Sequence, residues 1–293
     1  MKMNQDWIEQ NIIYKVYAGS IAYGLDSPES DQDIRGITVP PEEYFLGLKN
    51  FEQKEDRVHD EVTYGIRKFV RLLSQCNPNI IELLWVQQNH IIYIDEFGKR
   101  LRENRDLFLT KRARYTFGGY AFAQLQKIKS HRKWLVNPVS EPKKIDFFKE
   151  KIMILEDGSK AYEKFLEQEY DVACKKYKQY LDWQKNRNPE RKELEDKYKY
   201  DTKHGMHLIR LLRMGLEILL DGKVEVFRHD AKQLREIRNG EWSYEKLISE
   251  AEIYEKLLDE AYVKSELPKF PDMEKIDRLL IEIIKDFWKS HEK

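Results

Sequence analysis

The sequence predicts an α+β fold, with a small β-sheet and helices in the first third of the chain and a mainly helical remainder. Short runs of β-branched and aromatic residues lie in the first third, and apolar residues recur at helical spacing after about residue 95. The length of 293 residues allows about two domains. We therefore expect a first domain at residues 1–110 and a helical domain at residues 111–293.

The elements of the first third follow from local residue types. Strands are rich in Ile, Val and Tyr, Gly and Ser start a tight turn, and paired prolines stop a strand. In chain order, the predicted elements are the strand Ile12–Ala18, the short helix Ile21–Leu25, the loop Asp26–Ser30, the strand Asp31–Val39, the strand Glu61–Tyr64, and a helix from Ile66 to the Asn77-Pro78 boundary, with Asn79 as a cap.

The remainder of the chain shows amphipathic helical periodicity, interrupted by one charged connector with a single proline. The predicted segments are helix Arg112–Lys133, one helix or a helical pair over residues 143–183, the connector 184–200, and the helices Thr202–Leu220, Ser243–Val263 and Met273–Lys289.

The composition excludes several classes of protein. Lys and Arg total 52, as do Asp and Glu, which argues against a wholly basic nucleic-acid coat protein but leaves room for a local basic groove. No apolar run is long enough to span a membrane, and the N-terminal residues lack the apolar run of a signal peptide. Cys76 and Cys174 lie far apart without metal-type spacing. We therefore expect two reduced cysteines in a cytoplasmic protein.

The residues that indicate chemistry are Gly19-Ser20 followed, after ten residues, by Asp31-x-Asp33. A glycine without a Cβ lets backbone N–H groups approach a phosphate, and the serine hydroxyl can donate to the same anion. Two aspartates two residues apart on a strand share one face, about 7 Å apart, where they repel each other unless a cation lies between them. Mg²⁺ prefers carboxylate and phosphate oxygens of this kind, so these residues indicate a metal site. The alternative interpretation is that the two aspartates only order a turn.

At these residues the chain resembles the polymerase-β-like nucleotidyltransferase superfamily, whose signature is a Gly-Ser pair followed by Asp-x-Asp. The segments AGSIAYGLDSPESDQDIRGI, YGIRKFVRLLSQCNPNIIELLW and LREIRNG are similar to those of the predicted nucleotidyltransferases of the RlaP/YcgL group. That group is associated in some genomes with RNA ligase and RNA repair. The similarity extends over roughly residues 12–240.

The resemblance implies a small mixed sheet flanked by helices, followed by a helical domain. It also implies that Gly19 and Ser20 hold the triphosphate and that Asp31 and Asp33 hold metal. A third acid from a neighbouring strand usually completes such a site. Asp60 is the favoured candidate and Glu61 the alternative, either of which could bind metal or accept the proton of the attacking hydroxyl. Arg35 either meets a phosphate or orders the strand end through an ion pair.

A helical wheel of Thr202–Leu220 groups basic side chains away from the leucines. We expect Lys203, His207 and Arg210, with Arg213 at the edge, to neutralise phosphate, and the alternative is a solvated face paired with acids such as Glu217. His204 and His207 have metal-type spacing, but no further ligand pattern supports a site there.

A second basic region covers Lys127–Trp134, with Lys111, Arg112 and Arg114 preceding it. These side chains could follow a nucleic-acid backbone, and Trp134 could stack on a base. Aromatic residues on helices belong to a core more often than to a stacking platform, so both interpretations stay open.

Taken with the resemblance, the sequence predicts a Mg²⁺- or Mn²⁺-dependent enzyme that moves an NMP from an NTP, with ATP favoured, to an acceptor hydroxyl and releases pyrophosphate. The favoured acceptor is an RNA 3′ end or a tRNA-like acceptor, and no membrane partner is expected. The alternatives are a nucleotide- or RNA-binding sensor without turnover, and a protein adenylyltransferase of the toxin–antitoxin type.

Overall fold

The computed structural model describes residues 6–28, 30–149, 164–187 and 189–291. The chain forms two compact units, residues 1–125 together with 205–293 and residues 126–204. The boundary expected near residue 110 is not a boundary of either unit. Instead, two long helices, Ala113–Val136 and Thr202–Asp221, each contain one of the boundaries between the units.

The first unit contains a mixed five-stranded sheet, as the α+β prediction requires. Its strands are β1 (Ile12–Tyr17), β2 (Ile34–Thr38), β3 (Gln53–Asp56), β4 (Glu61–Gly65) and β5 (Ile91–Ile94). They are arranged in the order β3-β4-β2-β1-β5, with β2 parallel to β4 and the other neighbours antiparallel. Ile34 pairs with both Tyr17 and Glu61. This register aligns the end of β1 with the starts of β2 and β4.

Most of the remaining described residues are helical. The helices are α1 (Trp7–Gln10), α2 (Gly19–Tyr23), α3 (Glu43–Leu46), α4 (Ile66–Ser74), α5 (Pro78–Ile81), α6 (Glu96–Glu103), α7 (Ala113–Val136), α8 (Glu167–Lys185), α9 (Pro189–Tyr198), α10 (Thr202–Asp221), α11 (Ala231–Arg238), α12 (Tyr244–Lys264) and α13 (Met273–His291). None of them is long and apolar enough to cross a membrane.

The last helix of the chain completes the core of the sheet unit. Phe287 on α13 packs edge-on against Phe97 of α6 at 5.3 Å between ring centroids, and both rings are buried. Arg100 forms ion pairs with Glu282 and Asp286 of the same helix. The apolar face of α13 therefore belongs to the first unit, and a chain divided at residue 110 would leave this core without one of its walls.

Residues 126–204 form the second unit, whose described elements are helical apart from the short antiparallel pair β6 (Phe148–Lys149) and β7 (Lys164–Phe165). Trp134, Tyr180 and Trp183 form an aromatic cluster, with 5.2 Å between the ring centroids of the two tryptophans. Trp134 is half-buried in this cluster, and base stacking by its ring stays a prediction.

Several predicted elements have different bounds in the structure. The predicted helix Ile21–Leu25 corresponds to α2, which begins at Gly19, and the predicted strand Asp31–Val39 corresponds to β2, which begins at Ile34. Asp31 and Asp33 therefore precede the strand and do not share a face of it as expected. The helix or helical pair predicted over residues 143–183 is wrong at β6 and β7, which are strands. Residues 150–163 of that prediction lie outside the described residues. The connector 184–200 contains α9, and Asn77, rather than Asn79, caps α5 because Pro78 occupies its first turn.

Candidate active site

The Gly-Ser turn lies directly against the second aspartate of the Asp-x-Asp pair. Gly19 has a φ of +59°, and a Cβ placed there would lie 1.9 Å from Asp33 Oδ2. The backbone N–H of Ala18 also donates to the Asp33 carbonyl oxygen at 2.8 Å. This position therefore requires glycine for two reasons, its left-handed backbone and the close approach of a carboxylate.

Two of the three predicted acids share one arginine. Arg35 Nη2 lies 3.2 Å from Asp33 Oδ1 and 3.3 Å from Asp60 Oδ1. Its Nη1 donates to the backbone oxygens of Asp60 and Ile34 at 2.6 and 2.8 Å. Both side-chain carboxylates remain partly accessible, and Asp31 is exposed. Asp33 and Asp60 are thus held around a common cation at an edge of the sheet that solvent reaches.

The structure separates the two candidates for the third acid. Asp60 precedes β4 with a φ of +48°, a left-handed conformation that Asp adopts more readily than most residues. Glu61 instead forms an ion pair with Lys15 of β1 at 2.7 Å. Asp60 therefore lies with Asp33, while its role as the third acid stays a prediction.

Three buried polar side chains, Tyr23, Glu82 and Arg210, interact at the C-terminal end of α2. The Tyr23 hydroxyl donates to Glu82 Oε1 at 2.6 Å, and Arg210 Nη1 lies 3.4 Å from the other carboxylate oxygen. The Arg210 guanidinium stacks over the Tyr23 ring at 3.9 Å. Burial raises the pKa of Glu82, and Arg210 and the Tyr23 hydroxyl oppose that effect. Burial also raises the pKa of Tyr23, so this hydroxyl stays a hydrogen-bond donor.

A second buried arginine holds the C-terminal end of α2. Arg228 is 2% exposed and donates to both carboxylate oxygens of Glu217, at 2.6 and 2.7 Å, and to Asp230 at 2.8 Å. Its backbone N–H donates to the Tyr23 carbonyl oxygen at 3.0 Å. The Phe227 ring covers Gly24, where a Cβ would lie 2.6 Å from the ring. The segment after α10 therefore fixes the helix that begins with Gly19.

Sequence reasoning missed these supporting residues. Glu82 follows the apolar pair Ile80-Ile81 and precedes Leu83-Leu84, and an acid inside such a run is the sequence signal of a buried, paired carboxylate. Arg228 lies in a short link between helices and carries no comparable signal, because its partners come from other segments of the chain.

The predicted row of basic residues does not form one solvent-facing stripe. Arg210 is 4% exposed and paired with Glu82, and Arg213 pairs with Asp230 at 2.6 Å. Lys203 belongs to the helical unit of residues 126–204, and His207 is half-buried in the first unit. Phosphate binding by Lys203, His207 and Arg210 stays a prediction, and for Arg210 it would require the Glu82 pair to open.

The donor set suits a hard divalent cation. Asp33 and Asp60 present carboxylate oxygens to one positive group, Asp31 is exposed two residues away, and Gly19 leaves a cradle that a methyl group would fill. Oxygen ligands of this kind are those that Mg²⁺ and Mn²⁺ prefer. Asp33 and Asp60 are thus the acids that the structure brings together where such an ion could be held, whereas a metal-binding role for Asp31 stays a prediction.

The similarity to curated proteins is partial. Over 100 residues the chain is 33% identical to the uncharacterized protein YcgL of Bacillus subtilis (strain 168), covering 32% of this chain and 37% of that protein. Over 128 residues it is 27% identical to an uncharacterized 38.9 kDa protein of the nrdC-mobD intergenic region of Enterobacteria phage T4, covering 39% and 38%. The chain thus matches less than half the length of either relative.

A solved structure and a family match complete the comparisons. A nucleotidyltransferase-like protein from Exiguobacterium sibiricum 255-15 aligns with 94% of this chain and 74% of its own, at 11% identity and a TM-score of 0.26, too low to support an argument. Residues 2–282 match the RlaP family, described as the RNA repair pathway DNA polymerase beta family. Because this match covers nearly the whole chain, the protein belongs to the RlaP family of polymerase-β-like nucleotidyltransferases.

Proposed function

We propose that this protein transfers an NMP from an NTP, with ATP favoured, to an acceptor hydroxyl and releases pyrophosphate. The observation that carries the proposal is the close approach of the Gly-Ser turn to Asp33: a Cβ on Gly19 would lie 1.9 Å from the Asp33 carboxylate. An anion-binding turn and a cation-binding carboxylate are useful side by side when the ligand is a metal-bound triphosphate.

Each residue has a role in this proposal. Asp31, Asp33 and Asp60 hold Mg²⁺ or Mn²⁺, while Gly19 and Ser20 bind the β- and γ-phosphates. The bound ion supplies charge neutralisation on the triphosphate and lowers the pKa of the attacking hydroxyl. The acceptor oxygen forms a bond to the α-phosphorus, the bond from that phosphorus to the bridging oxygen breaks, and Asp60 accepts the hydroxyl proton.

Arg35 has two partners that a metal ion would also use. Its guanidinium neutralises Asp33 and Asp60 in the free protein, at 3.2 and 3.3 Å. With a cation bound by those carboxylates, the Arg35 guanidinium would be available to a phosphate of the nucleotide, which its planar fork fits well. Arg35 therefore limits carboxylate repulsion before the substrate binds.

The favoured acceptor is the 3′-hydroxyl of an RNA. The support for this choice is the family description, which places related proteins in an RNA repair pathway. A 3′-terminal hydroxyl is the acceptor group that a repair polymerase of this superfamily would extend, and an acceptor with a 3′-phosphate lacks the attacking oxygen.

The proposal is tested by offering the full chain each α-³²P-labelled NTP with Mg²⁺ or Mn²⁺, together with RNA, DNA and protein acceptors. We expect label on RNA ending in a 3′-hydroxyl and none on the same RNA ending in a 3′-phosphate. The double variant Asp31→Asn, Asp33→Asn should lose at least about a thousandfold in rate, since metal ligands supply several kcal/mol of transition-state stabilisation.

The matched control is Asp277→Asn, which changes one exposed carboxylate on α13 and should keep the wild-type rate. Unchanged transfer in the double variant would contradict the assignment of the acids. Wild-type binding of NTP and Mg²⁺ without transfer to any acceptor would instead favour a sensor, and labelled protein would favour the adenylyltransferase alternative.

A further inference from the structure

We propose that the helical unit of residues 126–204 contains a second, buried cation site, which binds Zn²⁺ through His131, Glu195 and Asp201. The candidate ligand atoms of these three side chains all lie within 4.8 Å of one another. They belong to α7, α9 and the link that enters α10. The site is separate from the acids around Gly19, since all of its residues belong to the other compact unit.

Burial distinguishes this cluster from ordinary surface acids. Glu195 is 5% exposed and Asp201 is 3% exposed. His131 Nδ1 is a buried atom that finds no hydrogen-bond partner among the described residues. A buried imidazole nitrogen without a hydrogen-bond partner among the described residues, close to two buried carboxylates, costs free energy that a bound metal ion would remove.

Two carboxylates of the cluster lie side by side. Arg187 reaches Glu195 at 2.8 Å and also binds Asp196 at 2.8 Å. The candidate ligand atoms of Glu195 and Asp201 lie within 4.8 Å of each other, and the two carboxylates repel each other when both are ionised. A divalent ion between them would remove this repulsion.

The surrounding groups prepare the ligands for a metal. The His204 backbone N–H donates to Asp201 Oδ1 at 2.9 Å, and His204 Nδ1 lies 3.0 Å from Asp201 Oδ2, so this one residue of α10 orients the Asp201 carboxylate.

The choice of zinc follows from the ligand types. One imidazole nitrogen with two carboxylate oxygens suits Zn²⁺, whereas Mg²⁺ prefers oxygen ligands alone. The unit also has a small apolar core. Among its described residues the buried apolar and aromatic side chains are Ile128, Tyr180 and Tyr200, matched in number by Glu195, Asp201 and Thr202. A bound ion joining three segments would supply stability that this core lacks.

The test uses the full chain carrying Asp31→Asn and Asp33→Asn, so that the proposed active site cannot contribute. The protein is stripped with a chelator, titrated with Zn²⁺, desalted and analysed for metal content. We expect one tightly held zinc ion per chain, and at least about tenfold weaker binding after His131→Gln, by analogy with losses at metal-supporting residues. His291→Gln, at an exposed histidine, is the matched control and should bind zinc as before.

Replacement of zinc by Co²⁺ gives an independent readout, a visible d–d absorption that should be present in the control and absent in His131→Gln. If His131→Gln fails to fold by circular dichroism, Glu195→Gln is measured in the same way, with the same expected loss. Retention of zinc and of the Co²⁺ spectrum in the folded ligand variants, or no stoichiometric zinc in the parent chain, would overturn the proposal. Failure of nucleotide transfer would leave it unaffected.

Discussion

The two units hold their carboxylates under opposite conditions. Around Gly19, Asp60 keeps 56% of its side-chain surface exposed and Asp33 keeps 27%, and Arg35 joins them. In the helical unit, the Glu195 side chain keeps 6% and that of its partner Arg187 keeps 8%. Water screens the first group, which weakens the ion pairs of Arg35 with the two acids. The second group has little water to screen it and needs a resident partner.

The largest expected effect comes from adding a methyl group at Gly19, where the Gly-Ser turn meets Asp33. Gly19→Ala should lower nucleotide transfer by at least about a thousandfold, because the added methyl group occupies the space of the Asp33 carboxylate. The left-handed backbone should also cost the alanine variant about 1–2 kcal/mol of stability. Both are measured by transfer rate and by chemical denaturation.

The control for this change is Gly119→Ala, in the middle of α7, where an added Cβ meets no described atom within 4 Å. That variant should keep its activity and gain about 0.5–1 kcal/mol of helix stability. Comparable activity losses in the two alanine variants would contradict the prediction that activity requires glycine at position 19 in particular.

The second-largest effect is expected for the buried ion pair between Arg187 and Glu195. Arg187→Met should cost about 3 kcal/mol in the metal-free protein, since it removes the guanidinium that pairs with the buried Glu195 carboxylate. Amide hydrogen exchange in α9 measures the free energy of local opening. Added Zn²⁺ should restore part of the lost free energy of opening. If α9 of the variant opens no more easily than α9 of the wild type, solvent already screens these acids.

A pH titration compares two acids whose pKa values shift in opposite directions. Burial raises the pKa of Glu195, so the metal-free α9 region should be most stable below the unfolded value of 4.5 and should lose stability as the pH rises through the folded pKa. Burial also raises the pKa of Asp230, but Arg228 and Arg213 outweigh it and leave that pKa below 3.8. Stability near α11 should therefore fall as the solution becomes more acidic.

Hydrogen exchange of α9 and α11, followed between about pH 3 and pH 6, measures both trends in one protein, and each shifted pKa unit corresponds to about 1.4 kcal/mol. Zinc binds the deprotonated ligands, so it should reverse the α9 trend and leave the α11 trend in place. In the metal-free protein, two helices that respond to pH with the same sign would contradict the contrast between the two acids.

The smallest effect is expected at the exposed pair. Arg35→Met should change the free energy of unfolding by less than about 1 kcal/mol, because partly solvated ion pairs contribute little. Without this competing cation, Asp33 and Asp60 should bind Mn²⁺ up to about fivefold more tightly in the absence of nucleotide. Calorimetric titration with Mn²⁺ checks the affinity, and weaker Mn²⁺ binding would mean that Arg35 organises the acids instead of occupying them.

Much of the sheet and the site motif was predictable because the signals are local. The strand Ile12–Tyr17, the turn at Gly19 and the strand Glu61–Gly65 follow from residue types over a few positions. The edge strand β5 and the helix α11 were missed because each is short and its stability comes from the neighbours against which it packs. The same limit explains why Asp31 and Asp33, expected on a strand, lie before it.

The sequence by itself determined the family resemblance, the α+β class and the spacing that sets Gly19-Ser20 before Asp31 and Asp33. Only the tertiary structure decided that Asp60 joins Asp33 while Glu61 pairs with Lys15, that Arg210 meets Glu82 across 128 residues of sequence, and that His131, Glu195 and Asp201 come together. The physical reason is that spacing along a chain fixes turns and faces, whereas burial and ion pairing depend on segments that meet only after folding.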